Sequence, residues 1–115
     1  MDNFKKLDIV KEDFKNCQKV LVAIGDETRQ LIIMSLMDSC CEGMRVGEIK
    51  ERTHLSRPAV SHHLKILKDA EVIDVYKEGT KNFYYLQPKT KMMLLKKLII
   101  DIEDLLSELD CELKR

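Results

Sequence analysis

A chain of 115 residues that is 44% hydrophobic can close one compact domain around its own core without disulfide staples. Twenty Lys and Arg offset twenty Asp and Glu, which excludes a general polycation attracted to any nucleic acid. No apolar run reaches the roughly 18 residues of a membrane span, and Met1 to Lys6 lack the apolar stretch of a signal peptide; no membrane partner is expected, and the expected location is cytoplasmic. The neutral total hides a segregation. Arg45 to Lys68 carries six Lys or Arg against Glu48 and Glu51, whereas Asp101 to Arg115 carries six acids against Lys114 and Arg115.

Phe14, Cys17, Leu21 and Ile24 recur every three or four residues, which predicts one helix through Lys11 to Ile24. Gly25 is expected to end it in a left-handed conformation. Asp26 is placed to cap a second helix, whose residues Leu31, Ile32, Ile33, Met34, Leu36 and Met37 are apolar on almost every side; it is expected to be central and buried, and 11–39 make the N-terminal helices. A short helix follows through about Gly47 to Thr53 with Ile49 turned inward. After a break at His54 and Leu55, Ser56 is an N-cap, Pro58 fits a first turn, and Val60, Leu64 and Leu67 form an inward stripe.

Two short helices joined by a tight turn, over 47–69, lead into β-branched and aromatic residues around Gly79, a hairpin over 72–86. Beyond Pro88, residues 89–113 keep helical spacing through Met92, Leu95, Ile99, Ile102, Leu106, Leu109 and Leu113. A helix this long exceeds what so small a domain covers, so part of its apolar side is expected to meet a second copy of the chain. The fold class expected for 1–115 is therefore mainly α with a small β-hairpin wing: a single winged helix-turn-helix domain, dimeric through its terminal helices.

In that arrangement the second short helix enters the major groove of double-stranded DNA. Opposite its inward stripe lie donors for base edges or phosphates, so Ser56, Arg57, Pro58, Ser61, His62 and Lys65 are the candidate DNA-binding residues, with Lys77 and Lys81 at the wing offering two cations to a neighbouring phosphate or minor groove. His63 falls between Val60 and Leu67 on the helical wheel and is read as a partly buried packing residue. The interface residues expected for a homodimer are Phe14, Cys17, Leu21, Ile99, Ile102, Leu106 and Leu109. A second reading of the same surface is a winged-helix protein-interaction module without operator binding, favoured if Arg57 and Lys65 are buried or neutralised by Glu51. An enzyme is not expected: the histidines and Cys40 and Cys41 come with no oxyanion donor, glycine-rich phosphate loop or acidic pair.

Three stretches resemble the ArsR/SmtB repressors. Ala23-Ile24-Gly25-Asp26-Glu27-Thr28-Arg29 is similar to their A-L-(G/A)-D-x-T-R motif, Leu55 to Leu67 (LSRPAVSHHLKIL) to their recognition segment, and Val72 with Glu78, Gly79 and Tyr84 to the wing that follows. The resemblance covers about residues 14 to 106 and implies a dimer built mainly from first and last helices that represses an operon until an inducer binds. Many relatives have glycine where His54 stands, a residue that tolerates positive φ better than most. The arsenic and cadmium sensors of the family carry Cys-x-Cys where this chain has Arg45-Val46-Gly47, and its zinc sensors use histidines of the last helix, whereas no His occurs here after His63. Asp101 and Glu103 alone make a poor zinc site.

No cofactor is assigned, and the inducer is unknown. In a reducing compartment Cys40 and Cys41, adjacent and just before the helix-turn-helix, are the candidate soft-metal or redox site. Cys17 and Cys111 form an alternative redox pair, provided that the terminal helices bring their Cα atoms within about 7 Å.

Overall fold

The structure, a computed structural model, describes residues 3–39, 42–87, 89 and 91–113, the last four of these as backbone. In chain order they form α1 (Asn3–Asn16), α2 (Gln18–Ile24), α3 (Glu27–Asp38), α4 (Val46–Thr53), α5 (Arg57–Asp69), β1 (Ile73–Glu78), β2 (Lys81–Leu86) and α6 (Met92–Leu113). Two apolar clusters hold them. The larger joins α2 to β1 through Ile32, Leu36, Ile49, Val60, Leu64, Leu67, Val72 and Ile73. The smaller clamps α1 to α6 through Val10, Cys17, Leu98 and Leu105.

The predicted helix 11–24 is in fact two. It starts earlier, at Asn3, and breaks at Cys17, whose φ of −113° and ψ of 17° leave helical geometry. The apolar period continues across the break because the two pieces serve different clusters: Val10 packs on α6, Val20 and Ala23 on the larger core. Periodicity reports a buried face and is blind to a kink that keeps it buried. Gly25 is also corrected. Its φ of −78° and ψ of −2° are right-handed, so positive φ does not explain the glycine; a Cβ there would stand 2.9 Å from the Leu21 carbonyl oxygen.

Asp26 caps α3, its carboxylate accepting the Arg29 N–H at 2.9 Å, and that hydrogen bond holds the carboxyl below the usual range. α3 is not buried all round as expected: Ile32 and Leu36 are sealed, while Leu31, Met34 and Met37 on the opposite side are exposed. α5 ends in a pair of bonds, Glu71 N–H to Lys68 and Val72 N–H to Leu67. This Schellman arrangement normally puts glycine at the left-handed position. Here Glu71 takes it with φ of 60°, and Val72 and Leu67, both buried, close the turn.

The wing is a two-stranded antiparallel ribbon in which Glu78 pairs with Lys81 around Gly79 and Thr80, and Ile73 with Leu86. It does not stand alone. Met44, just before α4, exchanges two backbone hydrogen bonds of 2.8 Å with Tyr84, and the Tyr76 hydroxyl donates to the Glu42 carbonyl. The ribbon is thereby tied to the start of the helix-turn-helix.

α1 and α6 run antiparallel, since Lys6 pairs with Asp104 and Glu108 while Asp13 meets Lys97. Cys17 therefore packs near Leu98, about 20 Å along the helix from Cys111 at 1.5 Å per residue. A disulfide needs Cα atoms within about 7 Å, so the Cys17–Cys111 pair within one chain is excluded. Asp13 is 5% exposed, and burial, followed by the nearby Asp101, pushes its carboxyl up, while Asp101 is held down. Asp13 Oδ2 has no hydrogen-bond partner among the described residues, and Lys97 donates to both carboxyls, at 2.9 Å to Asp13 and 2.8 Å to Asp101.

The residue that bridges the end of α2 and α5 is Arg29, a guanidinium only 9% exposed. Its Nε donates to the Ala23 carbonyl at 2.6 Å and its Nη2 to the Val22 carbonyl at 3.0 Å, saturating the last turn of α2 where carbonyls lack intrahelical partners. Removing the head group orphans these buried acceptors. Arg29→Met is expected to lower stability by about 2 to 4 kcal/mol, seen as a lower urea midpoint at unchanged slope; a midpoint equal to that of the parent would show that the clamp is not structural.

Candidate DNA-binding surface

α4 ends at His54, whose φ of 59° and ψ of 23° are left-handed and whose N–H closes on the Lys50 carbonyl at 2.9 Å. The chain thus reverses without glycine. Ser56 then caps α5, its hydroxyl accepting the Ala59 N–H at 3.2 Å, with Pro58 in the first turn, where a missing N–H costs nothing. Val60, Leu64 and Leu67 are buried to within 1%. The opposite side of α5 must then face outward, and Ser56, Arg57, Pro58, Ser61, His62 and Lys65 are all exposed. Neither Arg57 nor Lys65 forms an ion pair among the described residues. The donors of this row are available to an outside acceptor.

His63 is half-buried between that row and the core. Arg29 can only donate, so the 3.3 Å contact from its Nη1 makes His63 Nδ1 an unprotonated acceptor. The His62 ring meets His63 edge-on at 5.4 Å. Burial first, with Arg29 and His62 adding and Asp26 opposing, holds His63 below its ordinary value of 6.5. The recognition helix is in this way connected to the α2–α3 corner by one hydrogen bond.

Lys77 and Lys81 are both exposed, but they do not stand together. Lys77 pairs with Asn82 and Lys81 with Glu78, and since paired residues share a face while successive ones alternate, the two lysines project from opposite faces of the ribbon. The expectation that they meet one phosphate together is corrected: strand alternation separates them. Lys81 lies on the face turned toward α4, where it lines a groove of about 420 Å³ with Thr80, Arg45, Gly47 and Arg57. Arg45 was not among the residues singled out from sequence. It resembles any solvated cation until the wing folds over it.

Of the expected interface residues, Phe14, Ile99 and Leu106 are exposed, while Leu21, Ile102 and Leu109 pack partly against the α1–α6 cluster. Cys17 is 0% exposed, so inside the protomer it presents no surface to a partner, and burial pushes its thiol up, away from the reactive thiolate. Cys40 and Cys41 lie outside the described residues. Among those described, no three His, Cys, Asp or Glu gather as metal ligands, and no helix is long and apolar enough to cross a membrane.

A family model described as "Bacterial regulatory protein, arsR family" matches residues 26–75, from the cap of α3 through the helix-turn-helix into β1. The chain is 38% identical over 77 residues to an uncharacterised HTH-type transcriptional regulator of Methanocaldococcus jannaschii, a match covering 65% of this chain and 82% of that protein. The chain belongs to the ArsR family. Another relative, the transcriptional repressor SdpR of Bacillus subtilis, is 42% identical over 67 residues, covering 58% of this chain and 71% of its own. An ArsR-like transcriptional regulator from Rhodococcus sp. RHA1 superimposes with a TM-score of 0.68 at 24% identity, over 88% of this chain and 86% of that one; it shares the winged-helix fold. Members of the ArsR family found here are transcriptional regulators, not enzymes, and this chain is a DNA-binding regulator of that kind.

The depressed His63 sets a pH dependence whose sign is fixed. In the unfolded chain the imidazole protonates near 6.5, whereas the folded protein resists the proton, so stability is complete above that value and declines as pH falls below it toward the folded value. His63→Gln, which keeps an acceptor for Arg29, is expected to flatten the acid side of a plot of melting temperature against pH. An identical slope in parent and variant would assign the dependence to other groups.

Proposed function

We propose that the protein represses transcription by holding a two-fold symmetric operator as a homodimer, with α5 of each copy in successive major grooves. The observation that carries this is the exposed row Arg57, Ser61, His62 and Lys65, in which neither cation has an ion-pair partner among the described residues, set against a buried stripe on the same helix. The same observation weakens the protein-interaction reading, which burial of Arg57 and Lys65 or their neutralisation by Glu51 would have favoured. Ser61, His62 and Lys65, farther along α5, are the candidates for base edges, and Lys77 for a phosphate on the outer face of the wing.

Half-sites are expected about 34–36 Å apart, one helical turn, because two-fold related helices must enter grooves on one side of the duplex. Selection from a random duplex library should return palindromes with that spacing. Lys65→Ala is then expected to cost about 1 to 3 kcal/mol on the selected duplex and to relax preference at one base pair of each half-site. Equal affinity and equal preference would remove Lys65 from base recognition.

The second copy is assigned to the exposed apolar residues of the terminal helices. Ile99 and Leu106 with Ile102 shape a shallow apolar depression on α6, and Phe14 is 47% exposed on α1. These side chains are large, and leaving them in water costs roughly 1.5 to 3 kcal/mol each relative to burial. Leu106→Glu places a charge in that contact and should give a folded monomer by light scattering, with operator affinity sharply reduced. A dimer that survives the substitution would place the interface elsewhere. Induction is assigned to Cys40 and Cys41 on the sequence alone: release of DNA by arsenite, cadmium or a persulfide donor should be lost in the Cys40→Ser, Cys41→Ser variant.

A further inference from the structure

The groove between α4 and the wing is lined by residues other than Ser61, His62 and Lys65, the candidates for base edges. Three cations from three separate elements converge on it: Arg45 before α4, Arg57 at the start of α5 and Lys81 on β2. None of the three is in an ion pair among the described residues, although Glu48 and Glu51 share the lining. Glu48 is occupied in part by the Arg45 backbone N–H, at 3.3 Å. The N–H groups of Val46 and Gly47, the first two of α4, make no hydrogen bond among the described residues, since a helix's first N–H groups have no intrahelical acceptor.

Gly47 lies beside Arg57: a Cβ built on it would stand 3.6 Å from Arg57 Nη2, an ordinary contact. A large side chain at 47 would crowd the guanidinium, which lines the groove with Gly47. Cations over free helical N–H groups, with the polar Thr80 and Asn82 opposite, are the donor set for a tetrahedral oxyanion, and two carboxylates in the same lining limit it to one such group.

We propose that this groove seats a single backbone phosphate of duplex DNA, clamped between the start of α4 and the wing, with Arg45 and Arg57 as its main ligands. The proposal rests on the operator reading above and deepens it by dividing the work. Arg57 and Arg45 supply affinity without sequence information; Ser61, His62 and Lys65 read bases.

The test uses the full chain, a fluorescein-labelled duplex of arbitrary mixed sequence, and the best duplex from selection, with affinity followed from about 50 to about 200 mM salt. Arg45→Ala is expected to weaken binding to both duplexes by the same factor, about three- to tenfold, and to reduce the slope of log affinity against log salt by about one. Arg45→Lys should restore the slope, because it restores the charge. Gly47→Leu should act in the same direction by pushing Arg57 out, and circular dichroism checks that each variant is folded. Arg45 makes no side-chain bond among the described residues, so its truncation should not unfold the protein. Unchanged slope and affinity in Arg45→Ala, with Lys65→Ala still impaired, would overturn the groove proposal alone. A loss confined to the selected duplex would overturn it too, by making Arg45 a base reader. If the parent protein bound neither duplex, the operator reading and the groove would fall together.

Discussion

A buried arginine ties α5 to the corner between α2 and α3. Arg29 brings a full charge into the corner between α2 and α3 with no ion-pair partner among the described residues, which would be ruinous unless every donor found an acceptor. The acceptors are the last carbonyls of α2, the negative end of a helix, and the neutral Nδ1 of His63. Asp26 adds its charge from the cap of α3. A short segment, Ala23 to Arg29, thereby ends one helix, starts the next and fixes a third across the core.

The α1–α6 pair is organised by a different physics. Its cluster is small, and the helices are fastened along their length by Lys6 with Asp104 and Glu108 and by Lys97 with Asp13 and Asp101. Each pair that crosses between the helices has one largely covered partner, Lys6 or Asp13, and one more exposed partner; their spacing along both helices fixes the register. α2 is shared by both units, because Cys17 and Leu21 pack on the α6 side while Val20 and Ala23 pack in the larger core. α2, together with Leu95 of α6, which packs against both clusters, joins the terminal-helix pair to the core that carries α5.

What was legible in the sequence follows from this division. α5 could be read almost residue by residue, since Ser56, Pro58 and the Val60, Leu64, Leu67 stripe are local signals, and local signals survive folding. The break at Cys17 was illegible because both sides of it are buried and the apolar period never falters. Gly25 was correctly placed at a helix end for the wrong reason: its need is space against the Leu21 carbonyl, a short distance that sequence does not display. Arg29 sat inside a recognised motif, yet nothing in one sequence distinguishes an inward arginine from a solvated one. The pairing of Met44 with Tyr84 spans forty residues, and the groove it builds over Arg45 inherits that illegibility.

The zero net charge of the chain also acquires a physical meaning. With screening over about 8 to 10 Å at ordinary salt, a phosphate does not sense the sum of forty charges; it senses those within one turn of helix or one groove. The acids of α6 are partly consumed by Lys6 and Lys97 on α1, whereas Arg45, Arg57, Lys65 and Lys81 remain unpaired among the described residues. Unpaired cations are not confined to that face, since Lys11, Lys15 and Lys96 also form no ion pair among the described residues. What sets the α4–wing groove apart is that its cations converge from separate elements, whereas α6 presents exposed acid such as Glu103. On the operator reading, neutrality in total and polarity in arrangement together favour docking in one orientation.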